Sequence, residues 1–370
     1  MKTQHVNTVI IGAGQAGLSA AYHLQRRGVE CLVLEGSARI GDQWRDRYDS
    51  LRLFTPAYAD RLDGLDFPGD KEAFPTKDEM ADYLELYALT HDLPVRLHSQ
   101  VRRLSAGTHG GYLVELEREG QRELISCDAV IIATGTFGQD PKTPDFANEL
   151  AESIFQLHSI GYHHPSDLPD GPVLVVGASH SGLDLALELG TDRKTTLVGP
   201  ARGNIPFEWG SRVMRRAFPL IEFVFQHVLT RRTPIGRKVF NNLRHHGSPQ
   251  LRVKEHHLKE RGVEWLQEHI VGVSADGLPQ LANGRTFDVT SIVWATGLAH
   301  DYSWIDLPLP IEHGWPVEYR GVVEELPGLY FLGLAFQYAF SSGEMSGVGR
   351  DAAYLANRII QDNKAHVLAA

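Results

Sequence analysis

The chain has 370 residues, 42% of them hydrophobic, with 36 basic against 46 acidic side chains and a net charge of −10. Such a length leads us to expect roughly two domains, and the charge excludes a molecule built as a whole to bind nucleic acid. Cys31 and Cys127 each lie in an apparent strand with no C-x-x-C pair, which argues against a dithiol redox centre. No apolar run reaches membrane-spanning length, so no integral membrane segment is expected. Met1 leads almost directly into the first strand without a signal peptide, and a cytoplasmic location is the expectation.

The first element is the apolar run Thr8-Val9-Ile10-Ile11, followed by Gly12-Ala13-Gly14-Gln15-Ala16-Gly17 and a helical start. This reads as a buried strand, a glycine turn and a helix. Gly12 permits the tight turn, Gly14 lets a pyrophosphate approach the backbone, and Gly17 lets helix and strand pack closely. The helix then offers free N–H groups and its positive dipole end to phosphates. The next strand, residues 30–35, closes on Glu35, about twenty residues on, where a carboxylate suits ribose hydroxyls.

Residues 36–45 form a turn-rich loop with Gly36, Gly41, Gln43, Trp44 and Arg45; it reads as a loop folding over a bound nucleotide or, more plainly, as a surface loop with a half-buried Trp. Residues 76–90 are predicted helical. Thr76 suits the N-cap, Glu79 completes a capping box, and Tyr83, Leu84, Tyr87 and Ala88 share one face. Short strands are expected at 95–97, 101–104, 112–117 and 123–125. The apolar strand 128–132 then ends in the small-residue turn Ala133-Thr134-Gly135.

A second strand–turn–helix unit spans 173–186, with Gly177-x-Ser179-His180-Ser181-Gly182 at its turn. Ser179 stands where the middle glycine usually does. The following strand, 195–199, ends without an acidic residue, and Arg202 comes soon after, which favours a 2′-phosphate and hence NADP. A hydrolase nucleophile elbow would need glycine two residues after Ser179, and Ser181 stands there. Residues 202–261 hold 13 basic against 4 acidic residues, a net +9 that leaves −19 on the rest. The plain reading is a helical insertion with a solvated basic face; the sharper one is a lid that steers NADPH or an anionic substrate, or touches anionic lipid. The pairs His163-His164, His245-His246 and His256-His257 have neither cysteines nor an H-E-x-x-H arrangement, so no metal is expected. Residues 290–297 repeat the earlier element and end in Ala295-Thr296-Gly297, and a strand over 329–333 and a closing helix after Gly347-Val348-Gly349-Arg350 complete the chain. The expected fold is α/β, two nested Rossmann-like dinucleotide-binding domains. The first is expected over 1–160 and 290–370; the second over 161–289, carrying the basic insertion at about 205–260.

This pattern resembles the two-dinucleotide-binding-domain flavoproteins. More specifically it resembles the bacterial flavin-containing monooxygenase-like group of class B flavoprotein monooxygenases, which in turn resembles the plant flavin monooxygenases of auxin synthesis. The carriers are Gly12-x-Gly14-x-x-Gly17, Gly41-x-x-Trp44, Tyr48-x-Ser50-Leu51, the two Ala-Thr-Gly elements, Gly177-x-x-x-Ser181-Gly182 and His158-Ser159-x-x-Tyr162. The resemblance implies FAD on the first fingerprint and NADPH on the second, with NADH as an alternative donor. It implies that O2 forms a C4a-(hydro)peroxyflavin that oxygenates small sulfides, amines or ketones. The implied FAD contacts are Gly12, Gly14, Gln15, Ala16, Gly17, Glu35, Gly36, Gln43, Trp44, Arg45, Leu53, Val101, Ala133, Thr134, Gly135 and Leu334. Gly177, Ser179, His180, Ser181, Gly182 and Arg202 are implied on the nicotinamide side, with Ala295, Thr296 and Gly297 nearby. His180 is placed to donate to a phosphate, and the dipole end of the closing helix to face the flavin.

Two departures stand out. Glu152 and Ile154 replace the Phe and Gly that open the linking signature. Phe54, beside Thr55 near the flavin, replaces an Asn whose amide holds nicotinamide and peroxide, and a phenyl ring donates no such bonds. An NAD(P)H oxidase or quinone-type reductase on the same scaffold is therefore the second expectation, and a membrane-associated redox accessory flavoprotein the third. A homodimer is the expected assembly. The substrate cavity is expected among residues 54–75, 205–250 and 336–346.

Overall fold

The computed structural model describes residues 4–108, 110–201, 203, 207–246 and 250–369. Strand β1 (Gln4–Ile11) is exposed at its start and buried from Thr8 onward, as an apolar run inside a parallel sheet should be. Helix α1 (Gln15–Gln25) follows the glycine turn, and β2 (Cys31–Leu34) lies parallel to β1. Helix α2 (Asp42–Arg45) is one turn, entered through Gly41 at φ +86°. Helix α3 (Lys77–Thr90) has the expected capping box: the Glu79 amide donates to the Thr76 hydroxyl and the Thr76 amide to the Glu79 carboxylate.

Strands β3 (Val95–Arg96), β4 (Gln100–Ala106), β5 (Tyr112–Arg118) and β6 (Gln121–Ile132) follow. The separate strands expected at 123–125 and 128–132 are one continuous strand. Its first part pairs antiparallel with β5, while it runs parallel to β1 from Ile125 to Ile132, so one strand serves a hairpin and a parallel core.

Beyond β7 (Asp140–Pro141) come β8 (Phe155–His158), β9 (Val173–Val176), α4 (His180–Leu189) and β10 (Thr195–Val198). The basic segment contains α5 (Arg212–Phe223), which runs into a π-helical turn at Val224–Val228, then α6 (Pro234–His246) and α7 (Glu255–Glu260). Strands β11 (Glu264–Leu266), β12 (Ile270–Val273), β13 (Pro279–Leu281) and β14 (Ser291–Trp294) complete the second unit. Four short strands, β15 (Leu298–Ala299), β16 (Ile305–Asp306), β17 (Ile311–Glu312) and β18 (Trp315–Pro316), lead back to β19 (Leu329–Phe331). Helix α8 (Met345–Ala369) closes the chain, starting before the glycine pair expected to precede it.

The first sheet runs β16-β4-β5-β6-β1-β2-β3, with β19 added parallel to the end of β6; the second runs β11-β10-β9-β14-β8. Phe155–His158 and Ser291–Trp294 therefore belong to the second sheet, held by the parallel registers Ser291↔Phe155 and Ser291↔Val173. This corrects the expected boundaries at 160 and 290, which left both strands with the first unit. Strand β14 is the second unit's counterpart of β6, lying beside its own glycine turn. Helices α1 and α8 pack together through Leu18, Leu24, Val348, Leu355 and Ile359, all 0% exposed. Each such side chain contributes about 1.5–3 kcal/mol by leaving water. Among the described residues no helix is long and apolar enough to cross a membrane.

Candidate active site

The two sheets end in turns with the same geometry. In the first, Ile11 is in register with Ile132, which sets Gly12 against Ala133. Gly12 has φ +103°, and a Cβ there would lie 2.6 Å from the Ala133 carbonyl oxygen. A Cβ on Gly17 would lie 1.8 Å from the Gly12 oxygen. Only glycine fits either position. Gly14 differs: its backbone is extended (φ −75°, ψ −175°) and a Cβ on it would meet nothing within 4 Å. The open approach to Gly14 suits a diphosphate. No side chain caps α1 and no acidic residue stands in its first turn, so its N–H groups face that approach. The Glu35 carboxylate accepts from the Ala13 amide at 2.7 Å and the Ser37 amide at 2.9 Å, which pins it beside the turn. The residues present thus fit a dinucleotide with its ribose near Glu35.

The second turn repeats this. Val176 is in register with Trp294, which sets Gly177 (φ +110°) against Ala295 at 2.3 Å from a would-be Cβ. A Cβ on Gly182 would lie 1.8 Å from the Gly177 oxygen. Ser179 occupies the place of Gly14 with φ −93° and ψ −172°, an extended backbone open to any residue, so the missing middle glycine does not disturb the turn. His180 begins α4, and its ring lies 5.4 Å from that of Phe54. Arg202 lies outside the described residues.

Other predicted contacts distribute unevenly. Gln43 and Trp44 sit on α2, with Trp44 partly buried against the first core. Arg45 is committed elsewhere: it donates to Asp82 at 2.7 Å, Glu85 at 2.6 Å and the Ile40 carbonyl at 2.8 Å, tying α2 to α3. Leu53 and Leu334 are buried in cores, and Val101 packs against the second of these. Gly36 packs against the Gln100 side chain. The Thr134 carbonyl accepts from Gln139, and Thr296 donates to the Lys142 carbonyl. His158 donates from Nε2 to the Gly297 carbonyl at 3.1 Å, and burial lowers its basicity. That is a structural role.

Beside the second turn lies an open cavity of about 750 Å³, solvent at its mouth included. Phe54, Thr55 and His180 form one end, and Phe340, Glu344 and Ser346, at the start of α8, border it. The basic segment supplies Phe207, Trp209 and one face of α5 with Met214, Phe218, Ile221 and Glu222, continued by Phe225. This segment is therefore a wall of the cavity and not only a solvated insertion. All three expected lining segments contribute, joined by His180 and Leu251. A smaller cleft of about 290 Å³ shares Phe54 and His180 and opens toward Asp184, Arg52 and Arg252. Asp184 is fixed there by the Tyr48 hydroxyl at 2.9 Å and Arg252 at 2.8 Å.

Sequence reasoning missed Glu222 and Glu344, because neither belongs to a motif. Burial pushes the Glu344 carboxyl up to about 8, with repulsion from Glu222 adding to it, and burial also raises Glu222. Asp60, 2% exposed, lies behind Thr55 and accepts from its hydroxyl, while its second oxygen has no partner. The cysteines lie on β2 and β6 either side of β1, opposite Thr8 and Val6, about 12 Å apart by strand spacing and rise. Burial pushes both thiols up to about 12, so neither offers a thiolate. On the surface, Glu208, His256 and His257 bring potential ligand atoms within 4.8 Å of one another, but Lys254 stands 3.4 Å from the same carboxylate and competes with a cation.

Matched nucleotide turns at the ends of parallel strands in two sheets, with an aromatic-lined cavity beside the second turn, define the two-dinucleotide-binding flavoprotein class. Residues 9–261 match the model of the pyridine nucleotide-disulphide oxidoreductase family. A CzcO-like oxidoreductase of Geobacillus kaustophilus is 36% identical over 368 residues, 96% of this chain and 99% of that one. A probable indole-3-pyruvate monooxygenase, YUCCA1 of Arabidopsis thaliana, is 33% identical over 194 residues, 51% of this chain and 46% of its own length. A flavin-containing monooxygenase from Stenotrophomonas maltophilia superposes with a TM-score of 0.73 at 25% identity, covering 97% of this chain and 99% of that one. The chain belongs to the pyridine nucleotide-disulphide oxidoreductase family. It is a flavin-dependent oxidoreductase, and its family and fold are those of FAD- and NADPH-dependent monooxygenases.

Proposed function

We propose that the chain is an NAD(P)H- and O2-dependent flavin monooxygenase that oxygenates a small sulfide, amine or ketone in the aromatic-walled cavity beside its second nucleotide turn. The carrying observation is that Phe54 and Thr55, from the first unit, meet His180, from the second turn, at one end of an aromatic-walled cavity. The Gly12–Gly17 turn and Glu35 would hold FAD; the Gly177–Gly182 turn would hold NAD(P)H, with His180 donating toward a phosphate. When bound, the flavin supplies hydride acceptance and O2 activation. The protein binds, orients and excludes water. Phe207, Phe218, Phe225 and Phe340 do the last of these, since rings without polar atoms leave water few partners.

A specific feature favours a second reading. Phe54 brings a ring where the resembling family has an amide, and a site without that donor would release O2 as H2O2, as an oxidase does. Both readings are tested by following NADPH, O2, H2O2 and product together over a panel of one thioether, one tertiary amine and one cyclic ketone. Oxygenated product matching NADPH consumption for any member supports the monooxygenase. Recovery of all consumed O2 as H2O2 across the panel overturns it in favour of the oxidase.

A further inference from the structure

The charge of the junction cavity carries an inference about what it admits, one that rests on the reading of this cavity as the substrate site. Its wall holds six aromatic rings of Phe and Trp, and its ionisable lining is Glu222, Glu344 and His180. Among the described residues no Lys or Arg lines it.

The two carboxylates come from different parts of the chain and are held together. Glu222 is on α5 and Glu344 immediately precedes α8. The Gln226 amide donates both to Glu222 at 3.0 Å and to the Ser346 carbonyl at 3.1 Å, which fastens α5 to the start of α8. Behind Thr55, buried Asp60 adds a third carboxyl whose free oxygen has no hydrogen-bond partner. Arg61, the cation that acts on Glu222, is itself paired with Asp66 at 3.0 Å. Burying acidic groups together is unfavourable unless a positive charge joins them. Ring faces beside a carboxylate are also what a soft organic cation seeks, because the negative π face attracts it without demanding hydration.

We propose that Glu222 and Glu344 make this cavity a receptor for an organic cation, an apolar body about the size of one aromatic ring bearing a single protonated or quaternary nitrogen, and that they turn carboxylates away. The basic outer surface of the same segment does not contradict this. Among its described arginines, Arg215 pairs with Glu72, Arg231 and Arg244 pair with Glu318, and Arg252, in the adjoining smaller cleft, is neutralised by Asp184, while the wall that the ligand meets is acidic and aromatic.

The test uses the purified flavin-loaded protein and three probes of matched shape: benzyltrimethylammonium, its uncharged carbon isostere neopentylbenzene, and 3-phenylpropionate. Binding is measured by calorimetry above pH 8, where Glu344 is ionised, with quenching of tryptophan fluorescence as a second readout, since Trp209 lines the cavity. The cation is expected to bind at least tenfold more tightly than the neutral isostere, and the carboxylate more weakly than both. Glu222→Gln and Glu344→Gln are each expected to shrink the cation's advantage at least threefold while leaving the isostere's affinity unchanged. Equal binding of cation and isostere, or tighter binding of the carboxylate, overturns the proposal without any variant being made. Because no probe is turned over, failure here leaves the oxygenase reading standing. Cation binding by a protein that makes only H2O2 would remove that reading and keep this one.

Discussion

The paired turns make a discriminating prediction through two substitutions of one carbon each. In Gly17→Ala the added Cβ would lie 1.8 Å from the Gly12 oxygen; in Gly182→Ala it would lie 1.8 Å from the Gly177 oxygen and 3.1 Å from the Ala295 side chain. Cβ contacts below 3.0 Å are essentially never seen, so in each variant helix and strand must part by roughly 1 Å. Overpacking of this kind costs about 1–3 kcal/mol of stability. The functional effect is larger, since the parting moves the helix N-terminus away from the phosphates it is built to face. A misplacement of about 1 Å is worth about 100-fold in a positioned reaction. G182A is therefore expected to raise the KM for NAD(P)H about 100-fold while the purified protein keeps its flavin. G17A is expected to lose flavin, read as the 450 nm to 280 nm absorbance ratio. A G182A protein with unchanged KM, or a G17A protein with full flavin content, would refute the assignment of the two turns.

Phe54→Asn restores an amide donor at the cavity end next to His180. It is expected to lower the fraction of O2 released as H2O2 at least twofold at saturating substrate; an unchanged fraction separates Phe54 from the fate of O2. Glu344 gives a pH prediction. Its carboxyl is raised from an ordinary 4.5 to about 8, so the folded chain binds a proton that the unfolded chain has lost, and stability falls as pH rises from about 5 to 8. The slope approaches about 1.4 kcal/mol per pH unit for one fully coupled proton. Glu344→Gln, which cannot lose a proton, is expected to gain in Tm over the parent progressively across that range and by a constant amount above pH 8. A difference in Tm independent of pH would show that Glu344 titrates normally. Glu318 offers a structural contrast. Buried at 6% exposure, it holds Arg231 at 2.8 Å, Arg244 at 3.0 Å and the Gly321 amide at 2.7 Å. Glu318→Ala is expected to cost about 3 kcal/mol in urea unfolding by stranding the Arg244 guanidinium, whose side chain is 8% exposed, and removing a partner of the partly exposed Arg231.

The features legible in the sequence are the local ones. Gly12, Gly17, Gly177 and Gly182 are dictated by contacts within a few residues of backbone or with the adjacent strand, and a glycine pattern records such contacts directly. The Thr76–Glu79 capping box is likewise complete within four residues. Glu35 is close behind, because strand length fixes where its carboxylate emerges. Arg45 shows the limit of motif reasoning. Its position in the loop is as expected, but Asp82 and Glu85, one turn apart on a helix forty residues on, take its hydrogen bonds.

What the tertiary structure alone decided is how distant segments meet. The apolar run at 290–297 marks β14 as a strand while 155–158 carries no such mark, and which sheet either joins depends on hydrogen-bonded registers between segments more than a hundred residues apart, which no local pattern encodes. The cavity is the extreme case. Phe54, His180, Glu222 and Glu344 lie in four separate stretches of chain, and Glu222 and Glu344 carry no motif. Their chemistry arises from shared burial, which raises both carboxyls, and burial belongs to the packed molecule and not to any stretch of its sequence.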